Sequence, residues 1–156
     1  MTAKNRKLNI WGTNTFKEKI FFTKTPKETS DLGKKFAAAL KSGDIVFLKG
    51  DLGSGKTTFT QGVVKVFGNK GFARSPSFML VNEYNADGIK LFHIDLYRLK
   101  PSSVWDMGIE EYLYSGNISL IEWADRLVGA EDDNRWNVEI KSSAGSERKI
   151  KIEKKK

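Results

Sequence analysis

The chain has 156 residues, of which 39% are apolar and 29% charged, with no cysteine and a formal net charge of +8. This is the composition of a single folded domain with room for a real core, not of a disordered chain. It excludes a disulfide framework and thiolate metal sites, and no run approaches the ~18 apolar residues of a membrane span.

In chain order, residues 1–16 are polar and basic, without the apolar stretch of a secretory signal, so a cytoplasmic address is expected. "EKIFF" (18–22) reads as a short strand. Thr25, Pro26 and Glu28 then stand as N-cap, N1 and N3 of a helix. Leu32, Phe36, Ala39 and Leu40 give it an apolar face, and Gly43 is placed to end it. "DIVFLKG" (44–50) is a buried strand that stops at Gly50. After a glycine-rich loop, Phe59, Val63, Val66 and Phe67 mark a second helix closed by Gly68.

"SFMLVNEY" (77–84) and "KLFHIDLY" (90–97) flank Asp87-Gly88, the signature of a hairpin turn. Residues 102–114 have helical spacing, with Ser102 as cap and Gly116 as stop, and "ISLIEW" (118–123) is another strand. "WNVEIKSS" and "RKIKIE" alternate apolar and polar residues around "AGSE", as a closing antiparallel hairpin does. The order of elements predicts an α/β fold of one domain over 1–156. Its central sheet is mainly parallel with antiparallel additions, and helices lie on both faces.

The charge is uneven. Residues 1–24 and 148–156 each carry a net +5, which leaves the body between them at −2. The ends, about 1–16 and 153–156, are therefore read as basic, mobile tails that solvate the chain, with RNA contact the rival reading.

The segment "GDLGSGKT" (50–57) matches G-x-x-x-x-G-K-[ST] between an apolar strand and a helix. Its glycines let the backbone curl so that successive N–H groups converge on phosphate, helped by the positive end of the following helix. ATP or ADP is the expected ligand of Asp51, Leu52, Gly53, Ser54, Gly55, Lys56, Thr57 and Thr58. Lys56 is the cation for the β- and γ-phosphates, and the Thr57 hydroxyl is a Mg²⁺ ligand. Hydrolysis needs carboxylates as well. Asp95 and Glu122 each close an apolar strand, where ligands of open α/β sheets gather, so both are candidate catalytic and metal-binding acids. His93, the only histidine, shares a strand face with Asp95 and could orient that acid or a water, although packing alone would also account for it.

Four blocks in this order, "GDLGSGKTTFTQG", "SPSFMLVNEY", "HIDLYRL" and "LIEWADR", resemble the TsaE (YjeE) family over about residues 25–127. The resemblance implies a P-loop NTPase fold, with ATP phosphates bound by Gly53 to Thr58. It implies Mg²⁺ ligands at Thr57 and Glu122, and in Asp95 the acid of an H-x-D-x-Y-R motif. Ser75-Pro76-Ser77-Phe78 corresponds to the family's S-P-T-F switch segment, with serine in place of threonine. It further implies slow, partner-stimulated ATP hydrolysis that supports TsaB and TsaD in the threonylcarbamoyladenosine modification of tRNAs reading ANN codons, with tRNA an indirect partner. Two other readings share the loop: a nucleotide-gated binding module without useful hydrolysis, and a small-molecule kinase. The kinase would need an arginine-rich lid, and the chain has only six arginines.

Overall fold

The computed structural model describes residues 18–72, 80–130 and 135–155. Eight strands form one sheet in the order β1-β8-β7-β2-β6-β5-β4-β3. They are β1 (Glu18–Thr23), β2 (Ile45–Lys49), β3 (Asn69–Phe72), β4 (Leu80–Ala86), β5 (Ile89–Asp95), β6 (Ile118–Glu122), β7 (Arg135–Ser142) and β8 (Arg148–Lys155). The central β7-β2-β6-β5 block is parallel, and antiparallel strands extend it on both sides, as the order of elements predicts. β3 is an addition that no sequence signal marked.

Helix α1 (Pro26–Ala37) begins as its sequence dictates. Thr25 Oγ1 accepts from Glu28 N at 3.1 Å, and Glu28 Oε2 accepts from Lys24 N at 2.7 Å. Its end is earlier than expected. The N–H groups of Ala38, Ala39 and Leu40 turn to carbonyls three residues back, tightening the chain out of the α-helix. Gly43 serves the turn into β2 instead, at φ 89°.

Helix α2 (Lys56–Lys65) likewise stops short, and this leaves Val66 exposed rather than in the core. Asp87 and Gly88 both have positive φ, the requirement of the two-residue hairpin turn. Residues 102–114 are not one helix. Two 3₁₀ turns, Pro101–Ser103 and Trp105–Met107, precede a four-residue helix α3 (Glu110–Leu113). The break falls at Gly108, whose left-handed φ of 78° interrupts the ladder while Val104, Ile109 and Leu113 still reach the core.

Two apolar clusters lie on opposite faces of the sheet. One joins α1 and α2 to β2, β5, β6, β7 and β8, with Phe36 in contact with both Phe59 and Trp136. The other packs the 101–113 and 124–130 segments on β2, β4, β5 and β6. Helices α1 and α2 approach through Gly33 and Gly62. A Cβ at Gly62 would strike the Ser30 carbonyl, and one at Gly33 the Phe59 carbonyl. Alanine gains about 1 kcal/mol over glycine inside a helix. Overpacking against backbone costs about 3 kcal/mol and wins. Gly62→Ala should therefore lower stability by about 2 kcal/mol in urea unfolding, and a stabilised variant would refute this packing.

The expected C-terminal tail is corrected. Residues 153–155 belong to β8, paired with β7 on one side and, at Glu153, with β1 on the other. Lys154 lies over the Trp136 ring at 4.8 Å and 3.5 Å from Asp44 Oδ1. Asp44 is buried and also accepts from Lys41 N and Trp136 Nε1. The alternation of "RKIKIE" hid this, because a lysine stem packs as apolar surface. Deleting 154–156 should cost about 1–3 kcal/mol, the penalty for a buried acceptor losing a partner. An unchanged melting temperature would return these residues to the solvent. Among the described residues, no helix is long and apolar enough to cross a membrane. The segment 75–78 lies outside them.

Candidate functional site

Parallel pairing brings the carboxyl ends of β2, β5 and β6 to one edge. Asp95 and Glu122 are register partners there, and the loop 50–55 leaves β2 beside them. Gly50 is required by close approach, since a Cβ would strike the Ile140 carbonyl and Ser54 Oγ. Gly53 and Gly55 take positive φ of 77° and 109°, and Gly55 caps α2. Arg148 reaches the Gly53 carbonyl at 3.5 Å and ties the β7–β8 hairpin to the loop.

Lys56 sits across this loop, only 5% exposed. Its ammonium donates to the Gly50 carbonyl, to the Asp51 carbonyl at 2.8 Å and to Ser54 Oγ at 3.5 Å. Burial pushes its pKa below the ordinary 10.5, opposed by Glu122, Asp125, Asp51 and Asp95. Glu122 is 2% exposed. Its Oε2 accepts from Thr57 Oγ1 at 3.4 Å, and its Oε1 lies 3.3 Å from His93 Nε2. Burial pushes this carboxyl up, but the His93 hydrogen bond and charge, Thr60 and Lys56 outweigh it and hold the pKa below 4.5. Among the described residues Thr60 Oγ1 has no partner at hydrogen-bonding geometry, so its influence is that of a nearby dipole. An ionised carboxylate only accepts, and the imidazole Nε2–H is therefore the donor.

His93 thus orients Glu122, not Asp95. Asp95 Oδ1 accepts from Tyr97 N at 2.9 Å and turns the chain at the end of β5. An open cleft of about 270 Å³ is lined by Leu52, Gly53, Gly55, Lys56, Thr57, Thr58, Asp95, Tyr97, Glu122 and Trp123. Of the expected phosphate-loop residues, Asp51 and Ser54 lie outside this lining. Ser54 is buried beneath the loop, where Ser54 N donates to the Asp51 carbonyl at 3.0 Å.

Two contributors go beyond their sequence reading, which leaves Trp123 as core or pocket wall and gives Arg126 no role. Trp123 adopts φ 58°, a left-handed conformation that costs a bulky residue about 1–3 kcal/mol. The turn places its indole 4.1 Å from Lys56 Nζ and 5.0 Å from the Tyr97 ring. Arg126 lies 5.3 Å from the same indole and donates to the carbonyls of Tyr97 and Leu99. It pins the segment that follows Asp95. Both residues lie within the "LIEWADR" block, but spacing alone carries no sign of a left-handed tryptophan.

The donor set suits a hard cation. Thr57 and Glu122 offer adjacent oxygens, with Asp95 on the next strand. Among the described residues there is no cluster of three His, Cys, Asp or Glu that would enclose a metal by itself. Mg²⁺ is commonly held by one or two protein oxygens together with phosphate and water.

The family model described as "Threonylcarbamoyl adenosine biosynthesis protein TsaE" matches residues 23–150. The chain is 38% identical over 128 residues to the tRNA threonylcarbamoyladenosine biosynthesis protein TsaE of Bacillus subtilis, which covers 82% of this chain and 80% of that one. It is 44% identical over 112 residues to the protein of the same name from Haemophilus influenzae, covering 67% and 71%. The crystal structure of Bacillus subtilis YdiB superposes with a TM-score of 0.73 at 32% identity, over 92% of this chain and 90% of that chain. With the match running from Thr23 through the glycine loop and both strand-end acids into β8, the chain belongs to the TsaE family.

Proposed function

We propose that this protein is a P-loop ATPase that binds Mg²⁺–ATP and hydrolyses it slowly, in support of TsaB and TsaD during threonylcarbamoyladenosine modification of tRNAs reading ANN codons. The observation that carries the reading is one cleft lined by Gly53, Gly55, Lys56, Thr57, Asp95 and Glu122 at the carboxyl edge of parallel strands. Lys56 and the N-terminus of α2 would bind the phosphates. Thr57 and Glu122 would hold Mg²⁺, with Asp95 near the metal or its water. Bound Mg²⁺ would neutralise charge on the phosphate oxygens. His93 keeps Glu122 ionised and oriented. A partner requirement follows from the family's place in tRNA modification, and it fits a cleft that is open on one side.

The test compares ATP turnover by the chain alone with turnover in the presence of purified TsaB and TsaD. A slow basal rate that rises on adding the pair is expected. ATP binding without turnover under both conditions would leave a nucleotide-gated module, and a phosphorylated small-molecule product would make it a kinase.

A further inference from the structure

The sheet is covered by helices on one face from β8 to β5, but on the other face the cover stops at β2. The second apolar cluster contains no residue of β1, β7 or β8. Along β7 and β8 the burial alternates, so one face is core and the other is open. The open face of β1 carries Ile20 and Phe22, which are 47% and 60% exposed. Their register partners on β8 are Lys151 and Lys149.

Two lysines of this face are neutralised locally, Lys151 by Glu18 at 2.9 Å and Lys141 by Glu139 at 3.1 Å. Lys49, Lys149 and Lys155 make no ion pair among the described residues, and they face one unpaired carboxylate, Glu153. Between Lys49 and Lys155 runs a groove of about 140 Å³ lined by these two with Asn137, Val138, Glu139, Lys151 and Glu153. Both polar atoms of the Asn137 carboxamide are shielded there and have no hydrogen-bond partner among the described residues. A shielded amide with neither donor nor acceptor satisfied is costly and uncommon.

We propose that this open face of β1, β8 and β7 binds RNA. Lys149 and Lys155 would contact phosphates, Phe22 would stack on an unpaired base, and Asn137 would pair with a base edge. Exposed ring, unpaired cations and a free amide are the three elements by which sheets hold single-stranded RNA. An amide offers donor and acceptor together, matching the N6 and N7 pattern of adenine. An acidic protein surface would use the lysines but leave the ring and the amide without a role. The choice of RNA rests on the family's tRNA role. It is independent of the ATPase reading, because the face lies across the sheet from α2 and the glycine loop.

The test is anisotropy of a fluorescein-labelled, unmodified tRNA transcript with the full chain and no nucleotide. Binding that weakens with salt is expected. Lys149→Glu with Lys155→Glu should weaken it at least ~10-fold near 100 mM salt. The slope of log affinity against log salt should fall by about 1.4–1.8, the share of two phosphate contacts. Asn137→Leu should weaken binding several-fold without changing the slope. This variant also guards against misfolding, since replacing an unsatisfied amide by an apolar isostere is near neutral for the fold. ATP turnover of all variants should stay normal. Absence of wild-type binding at ~50 mM salt overturns the proposal. So does undiminished binding by the charge-reversed and Asn137 variants, or loss of TsaB–TsaD association with RNA binding intact.

Discussion

Lys56→Ala is expected to abolish ATP turnover while leaving the fold at least as stable as the parent. The ammonium is almost fully buried, and burial already lowers its pKa, so the folded state bears a cost to keep it charged. What holds it is a set of loop carbonyls and the Trp123 ring, and the Asp51 carbonyl keeps its bond from Ser54 N when the lysine is gone. A residue that burdens stability at a cleft has its reason in the ligand. Loss of one preorganised charge contact lowers turnover by ~10²-fold or more. The effect should be larger here, because Lys56 is the only buried lysine or arginine of the cleft among the described residues. Calorimetry with ATP and thermal melts of the same sample check both halves. Undiminished ATP affinity would remove the loop assignment, and a large loss of melting temperature would make Lys56 structural.

Glu122→Gln and Asp95→Asn should separate two acids that look equivalent in sequence. Glu122 meets Thr57 on one oxygen and His93 on the other, so the amide loses the charge and places an NH₂ against one of two donors. Turnover should fall by ~10²-fold or more with ATP still bound. Asn at 95 keeps an acceptor for Tyr97 N, so the turn survives and only the charge near the metal is lost. Its turnover should fall too, without a change in stability. A normal rate in either variant demotes that residue to a structural role.

Stability against pH gives a second readout for Glu122. Its folded pKa lies below the ordinary 4.5, so the folded state binds fewer protons than the unfolded chain in that range. Its contribution is full above about pH 4.5 and is lost as pH falls through the lower folded value. Glu122→Gln should flatten that acid limb, and an unchanged limb would mean that the site does not hold this carboxyl below its ordinary pKa.

Local chemistry was legible in the chain. The cap at Thr25, the turn at Asp87-Gly88, the alternation of β7 and β8 and the place of the glycine loop between a strand and a helix each depend on a few adjacent residues, and all four stand in the structure as read. The family followed from the order of four short blocks, which is itself a property of the sequence. What needed the tertiary structure was every relation between distant residues. His93 turned to Glu122 because β5 and β6 lie in parallel register, 29 residues apart in the chain. Lys154 became part of the fold because β8 carries it over Trp136 and beside Asp44. Gly33 and Gly62 look like weak points of two helices until their backbones are seen to meet. The basic C-terminal stretch that read as a tail runs on from a strand whose Glu153 pairs with Glu18 of β1. Propensity and capping act over one or two turns of chain, whereas register, close approach and burial of charge arise only when strands far apart in sequence are placed side by side.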